Sequence, residues 1–190
     1  MQEKMINLTP EQIDCALPRV ENGLKQYISL QDDLRNFDVS KNRDYQRRFN
    51  HFYRVRRGTE WQSYFYKLLQ DKKNTETGFA EILNAIYEKT DRYESSFASK
   101  LVATIDPNKP VIDKFVLANV GLALPYAAAK NRQERILLTY ENLTVQFEIF
   151  LNNSENGRYL VNRFREQFPK YSVTEIKMVD FVLWQTREIA

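Results

Sequence analysis

A chain of 190 residues, 43% hydrophobic and 28% charged, is long enough to bury a core without metal or disulfide help. Its single cysteine, Cys15, excludes an intramolecular disulfide, a cysteine-rich zinc site and a four-cysteine iron–sulfur cluster, and its single histidine excludes a histidine-cluster metal site. The net charge of +3 is concentrated: residues 41–57 hold seven basic residues against one acid, Asp44, and so carry +6, while the remainder sums to −3.

The start, "MQEKMINLTPEQ", lacks the basic-then-apolar pattern of a signal peptide. The least polar run, "VLANVGLALPYAAA", is short and broken by Asn119, Gly121 and Pro125, so it cannot span a bilayer. A cytoplasmic protein without cofactor or membrane partner is expected.

Five glycines in the whole chain, with apolar residues recurring at helical spacing, point to an all-α fold of about eight or nine helices. In "LTPEQ", Thr9 is the expected N-cap, Pro10 the first helical residue and Gln12 the return partner of a capping box. Pro18 interrupts, and Val20, Leu24, Ile28 and Leu34 mark a second helix. Over 42–55, Tyr45, Phe49, Phe52 and Tyr53 fall within about 100° of arc, with Arg43, Arg47 and Arg54 on the opposite side. "GTEWQ" reads as a capping box of Thr59 with Gln62, opening a helix with Trp61, Tyr64, Phe65, Leu68 and Leu69 on one stripe.

"DKKNTETG" is a polar connector, after which Phe79, Ile82, Leu83, Ile86 and Tyr87 repeat the helical spacing. Phe97, Leu101 and Ile105 face inward from the next helix. "DPNKP" is a turn, Asp113 opens a short helix, and Gly121 stops it. Ile136, Tyr140, Leu143, Phe147 and Leu151 mark a long helix, "NNSENG" a loop, and Leu160, Phe164 and Phe168 a helix ended by Pro169. "SVTE" reads as a last capping box, Ser172 with Glu175, before "IKMVDFVLWQTREI", apolar almost all round and expected at the centre. The organisation expected is one helical domain over 1–190, or one whose N-terminal helices, about 1–40, form an appendage.

The candidate polyanion-binding residues are Arg43, Arg47, Arg48, Arg54, Arg56 and Arg57: arginines along one helix face can follow nucleic-acid phosphates while the aromatic side anchors the helix. The competing reading is a solvated face matched by acids on neighbouring helices. His51 lies in the same segment. Lys100 sits roughly 130° from the apolar centre of its helix, between the small residues Ser99 and Ala103. Small neighbours suit either the approach of a substrate or tight helix packing. Asp180, inside the most apolar helix, needs a cation or several donors, with an arginine or backbone amides as the ordinary solution.

A lysine on a helix, a proline-bounded turn and an aspartate at the head of the next helix ("SSFASKLVATIDPNKPVIDKFVLANVGL") resembles the helix-hairpin-helix DNA glycosylase superfamily, especially its bifunctional glycosylase/lyase branch. The resemblance implies that Lys100 is a nucleophile attacking sugar C1′ to form a Schiff base. Asp113, at a helix N-terminus, then stabilises positive charge on the sugar. It covers roughly 79–122. The sequence departs from the superfamily in having "DRYESSFAS" where a glycine-rich hairpin stands, and in a shorter Lys-to-Asp separation.

The functions to be weighed are therefore a DNA glycosylase/AP lyase using Lys100 and Asp113, a catalytically inert nucleic-acid-binding module, and a helical protein-interaction domain.

Overall fold

The computed structural model describes residues 5–186, and among these it holds ten α-helices and no strand. The helices are α1 (Pro10–Ala16), α2 (Glu21–Asn36), α3 (Arg43–Tyr53), α4 (Thr59–Lys72), α5 (Phe79–Thr90), α6 (Ser95–Ile105), α7 (Lys114–Asn119), α8 (Arg132–Asn153), α9 (Glu155–Gln167) and α10 (Glu175–Gln185). The all-α expectation holds. No helix among the described residues is long and apolar enough to cross a membrane.

The chain divides into two compact units. One is Asn22–Asp106; the other combines the residues up to Glu21 with those from Pro107 onward. One boundary falls at the first residue of α2 and the other inside the "DPNKP" turn.

The unit over 22–106 is built on an aromatic cluster. α3 buries Tyr45 and Phe49 completely, and α4 answers with Phe65 and Tyr66. The Phe49 ring lies 5.7 Å from Phe65 and 5.6 Å edge-on from Tyr66. Truncating a ring buried like this typically costs about 3–5 kcal/mol, so this cluster sets the packing of α3 against α4. Two of its polar groups are satisfied internally: the Tyr66 hydroxyl donates to Asn50 Oδ1 at 2.6 Å, and the Gln46 amide donates to Val39 O at 2.9 Å, whereas the buried Tyr45 hydroxyl has no partner among the described residues.

α3 ends at Tyr53 because Arg54 turns left-handed (φ 54°), letting Val55 N reach Asn50 O at 2.9 Å. The helix therefore stops two residues short of the expected end. The capping box expected of Thr59 and Gln62 does not form, and Gly58 is the N-cap of α4. Gln62 instead donates to Arg57 O at 2.5 Å and accepts from Asn50 at 2.8 Å. Pairing with the half-buried Asn50 and the Arg57 carbonyl outweighed the local bond.

The other unit is centred on α10, where eight consecutive residues from Ile176 to Leu183 are buried. α1 opens it with the expected capping box: Thr9 N donates to Gln12 at 3.0 Å and Gln12 N to Thr9 Oγ1 at 3.3 Å. α9 is tied to α1 through Asp14, which accepts from the Tyr159 hydroxyl at 2.7 Å and from Arg163 Nε at 3.0 Å. These bonds hold the Asp14 carboxyl below the ordinary aspartate range.

Two expectations in this unit are corrected. "NNSENG" is not a loop: Ser154 alone separates α8 from α9, ending one and capping the other by accepting from Gly157 N at 3.4 Å. α10 is capped not by Ser172 but by Thr174, which accepts from Lys177 N at 3.3 Å and donates to Pro107 O at 2.5 Å. That second bond fixes Thr174 in place, a tertiary contact that spacing along the chain does not encode.

Candidate nucleic-acid interface

The basic character belongs to one unit. Residues 22–106 carry fifteen basic and twelve acidic residues, whereas the rest of the chain carries thirteen of each. Within that unit α3 presents Arg43 and Arg47 opposite Tyr45 and Phe49, as a 3.6-residue period requires, with Arg48 on the flank between.

The six arginines divide by how firmly they are held. Arg48 is fixed: its guanidinium donates to Asp33, to Asp44 Oδ2 at 2.8 Å and to Ser29 Oγ at 2.9 Å, and the bond to Asp33 is the chief reason that it holds its proton more tightly than usual. Arg57 is fixed too, gripping Glu94 through three bonds of 2.9–3.1 Å, with its guanidinium carbon 5.0 Å from the Phe97 ring centre. Fork-shaped pairs of this kind are specific and strong. Arg47 meets Asp44 at 2.6 Å, but with side chains 79% and 57% exposed the pair is a weak one. Arg43, Arg54 and Arg56 are exposed, Arg43 touching Gln46 at 3.3 Å.

α2 and α3 together form an open groove of about 600 Å³. Lys25, Gln26, Ser29 and Leu30 line it from α2, and Arg47, Arg48 and His51 from α3. Each set follows the i, i+1, i+4 spacing of one helix face, which is why two helices side by side turn these residues toward a common space. Lys25 and His51 are exposed. Lys25 is the residue that sequence reasoning missed. It lies outside the basic segment and becomes relevant only once α2 packs beside α3.

Lys100, on α6, is half-buried. Its Nζ donates to Tyr53 O at 3.1 Å and lies 5.1 Å from the Phe97 ring centre. Tyr53 is the last residue of α3, so the amine satisfies a carbonyl that a helix end leaves without an intrahelical partner, and places a cation at the negative end of the helix dipole. Ser99 and Ala103 are fully buried, so the small residues flanking Lys100 serve helix packing.

Asp113 belongs to the other unit, where it is the N-cap of α7, accepting from Phe115 N at 2.8 Å. Asp180, also in that unit, accepts from Lys177 Nζ at 2.8 Å one turn earlier on α10, with side chains 10% and 5% exposed. The cation is thus a lysine of the same helix rather than an arginine from elsewhere in the core. Burial pushes the Asp180 carboxyl above its ordinary range, against the pull of Lys177, and the charge of Asp113 adds to the rise. Among the described residues, no group of three or more His, Cys, Asp and Glu is gathered to hold a metal ion.

No family model, curated protein or solved structure matches the chain.

Proposed function

We propose that the unit over 22–106 is a nucleic-acid-binding module that holds backbone phosphates on the exposed cations of α2, α3 and the segment after α3. The observation that supports this most is the convergence of Lys25, Arg47 and His51 from two helices on one groove. Arg48 and Arg57 act as positioning residues: their carboxylate partners keep the groove wall and the 54–57 segment in shape. Arg43, Arg47, Arg54 and Arg56 meet phosphate. The surface pair of Arg47 with Asp44 is no obstacle, because an exposed pair contributes at most about 1 kcal/mol and a phosphate replaces the carboxylate.

DNA is the first nucleic acid to test. Fluorescence anisotropy with labelled DNA and RNA, each in duplex and single-stranded form, should give affinities that fall steeply with salt. Absence of binding at low salt to all four rejects the reading.

A second reading, base excision with Lys100 as nucleophile and Asp113 as the charge-stabilising carboxylate, has its own support. Lys100 and Arg57 flank the same Phe97 ring at the end of the arginine segment, and Asp113 caps a helix as the resemblance requires. In that chemistry the neutral amine adds to C1′ of an abasic sugar, the aldehyde oxygen leaves as water, and borohydride reduces the resulting Schiff base to a stable adduct. Lys100 must first leave the Tyr53 carbonyl. An adduct with abasic duplex that disappears in Lys100→Ala would establish the enzyme. With no adduct across a panel of lesions, the module is a binder alone.

A further inference from the structure

The unit that carries the arginines also carries a paired aromatic surface. Tyr87, near the end of α5, and Tyr93, in the turn before α6, stack nearly face to face, with ring centres 4.2 Å apart and planes 13° from parallel. Both are half-buried. Side-chain rings inside a core more often meet edge-on or offset, as Phe49 and Tyr66 do here.

The pair is held by its own turn. The Asp91 carboxylate, four residues further on, pushes the Tyr87 phenol above its ordinary range. Asp91 is left-handed (φ 53°), with its N–H on Tyr87 O at 2.7 Å, and Glu94 N donates to Arg92 O at 3.0 Å. The rings are therefore set before any ligand arrives.

The charges around this pair are mixed, with Glu88, Asp91 and Glu94 against Lys89 and Arg92 in sequence. Arg92, exposed, lies between Asp91 and Tyr93 in sequence. Glu94, the residue after Tyr93, is the one that Arg57 grips. That bond joins the tyrosine turn to the end of the arginine segment. Aromatic faces beside a run of cations are how proteins hold single strands: bases stack on the rings and phosphates follow the charge. A duplex keeps its bases stacked on each other and gains only the phosphate part.

We infer that this protein prefers single-stranded nucleic acid, with an unpaired base continuing the Tyr87–Tyr93 stack while the adjoining phosphates meet Arg92, Arg54 and Arg56. The inference rests on the nucleic-acid reading above and adds to it what distinguishes strand from duplex.

The test uses the full chain and three labelled probes of equal length, about twelve nucleotides: an oligothymidine strand, the same strand with every base removed, and a duplex. The strand should bind more tightly than either of the others, by about fivefold to a hundredfold for each base that stacks. Tyr93→Ala and Tyr87→Ala should lower affinity for the strand by a similar factor, leave the abasic probe unchanged and preserve the salt slope. Tyr93→Trp should retain strand binding, which separates loss of stacking from loss of fold. If the abasic probe binds as well as the oligothymidine, or if both alanine variants bind it as wild type does, the stacking inference is overturned while phosphate binding stands. If no probe binds, the functional reading itself fails.

Discussion

Arg54 occupies a conformation that glycine adopts at little cost, and it does so with a charge exposed to solvent. A left-handed non-glycine residue costs about 1–2 kcal/mol. Arg54→Gly should therefore leave stability unchanged or raise it by about 1 kcal/mol in urea denaturation, while weakening nucleic-acid binding. A loss of both would mean that the arginine holds the turn instead. Gly157 is the opposite case. A Cβ there would stand 1.9 Å from Phe150 O, a backbone atom that cannot swing aside. Gly157→Ala should destabilise by about 3 kcal/mol or more, read as a lower urea midpoint. The sequence shows "NNSENG" as polar and turn-like, which is true of its composition. That a single serine could cap two helices, and that the glycine marks a close approach of backbones, depends on how α8 meets α9. Spacing along one helix does not hold that information. Lys100 teaches a related lesson: its position off the apolar face was legible, whereas the helix end that it satisfies lies 47 residues earlier in the chain.

At the scale of the element, α10 combines eight consecutive buried residues with an ion pair in their midst. Removing either partner leaves an uncompensated buried group, so Lys177→Met or Asp180→Leu alone should cost about 3–5 kcal/mol. Exchanging both for apolar residues of similar volume should recover most of that loss, and a double-mutant cycle in urea measures the difference. The pH dependence has a definite sign. Asp180 binds its proton more tightly folded than unfolded, so its contribution to stability is greatest below the ordinary aspartate value of 3.8 and is lost as pH rises through the elevated folded value. The double variant should lack this component of the stability–pH profile. Helix boundaries followed hydrophobic period and proline, which act within a few residues, except at the end of α3 and at the junction of α8 with α9. Caps were less legible. Thr9 with Gln12 formed as its spacing suggests, yet Gln62 took a tertiary partner, and Thr174, tied to Pro107 O, capped α10 in place of Ser172.

For the whole molecule, the informative quantity is where charge sits relative to the two units. The excess of cations lies in residues 22–106, and the remaining residues are balanced. The +6 segment was visible in the sequence. What was hidden is that Asp33, Asp44 and Glu94 engage Arg48 and Arg57, so the charge offered to a ligand is smaller than the segment's count. Lys25 partly offsets that reduction by joining the groove from α2. The measurement that tests phosphate binding most directly is the slope of log affinity against log salt for wild type and for Arg43→Ala, Arg47→Ala, Arg54→Ala and Arg56→Ala. Each substitution should shallow the slope by about 0.7–0.9, the share of one phosphate contact, with Arg48→Ala acting mainly through the urea midpoint. A slope near zero in the wild type, or one that none of the four substitutions changes, would contradict it.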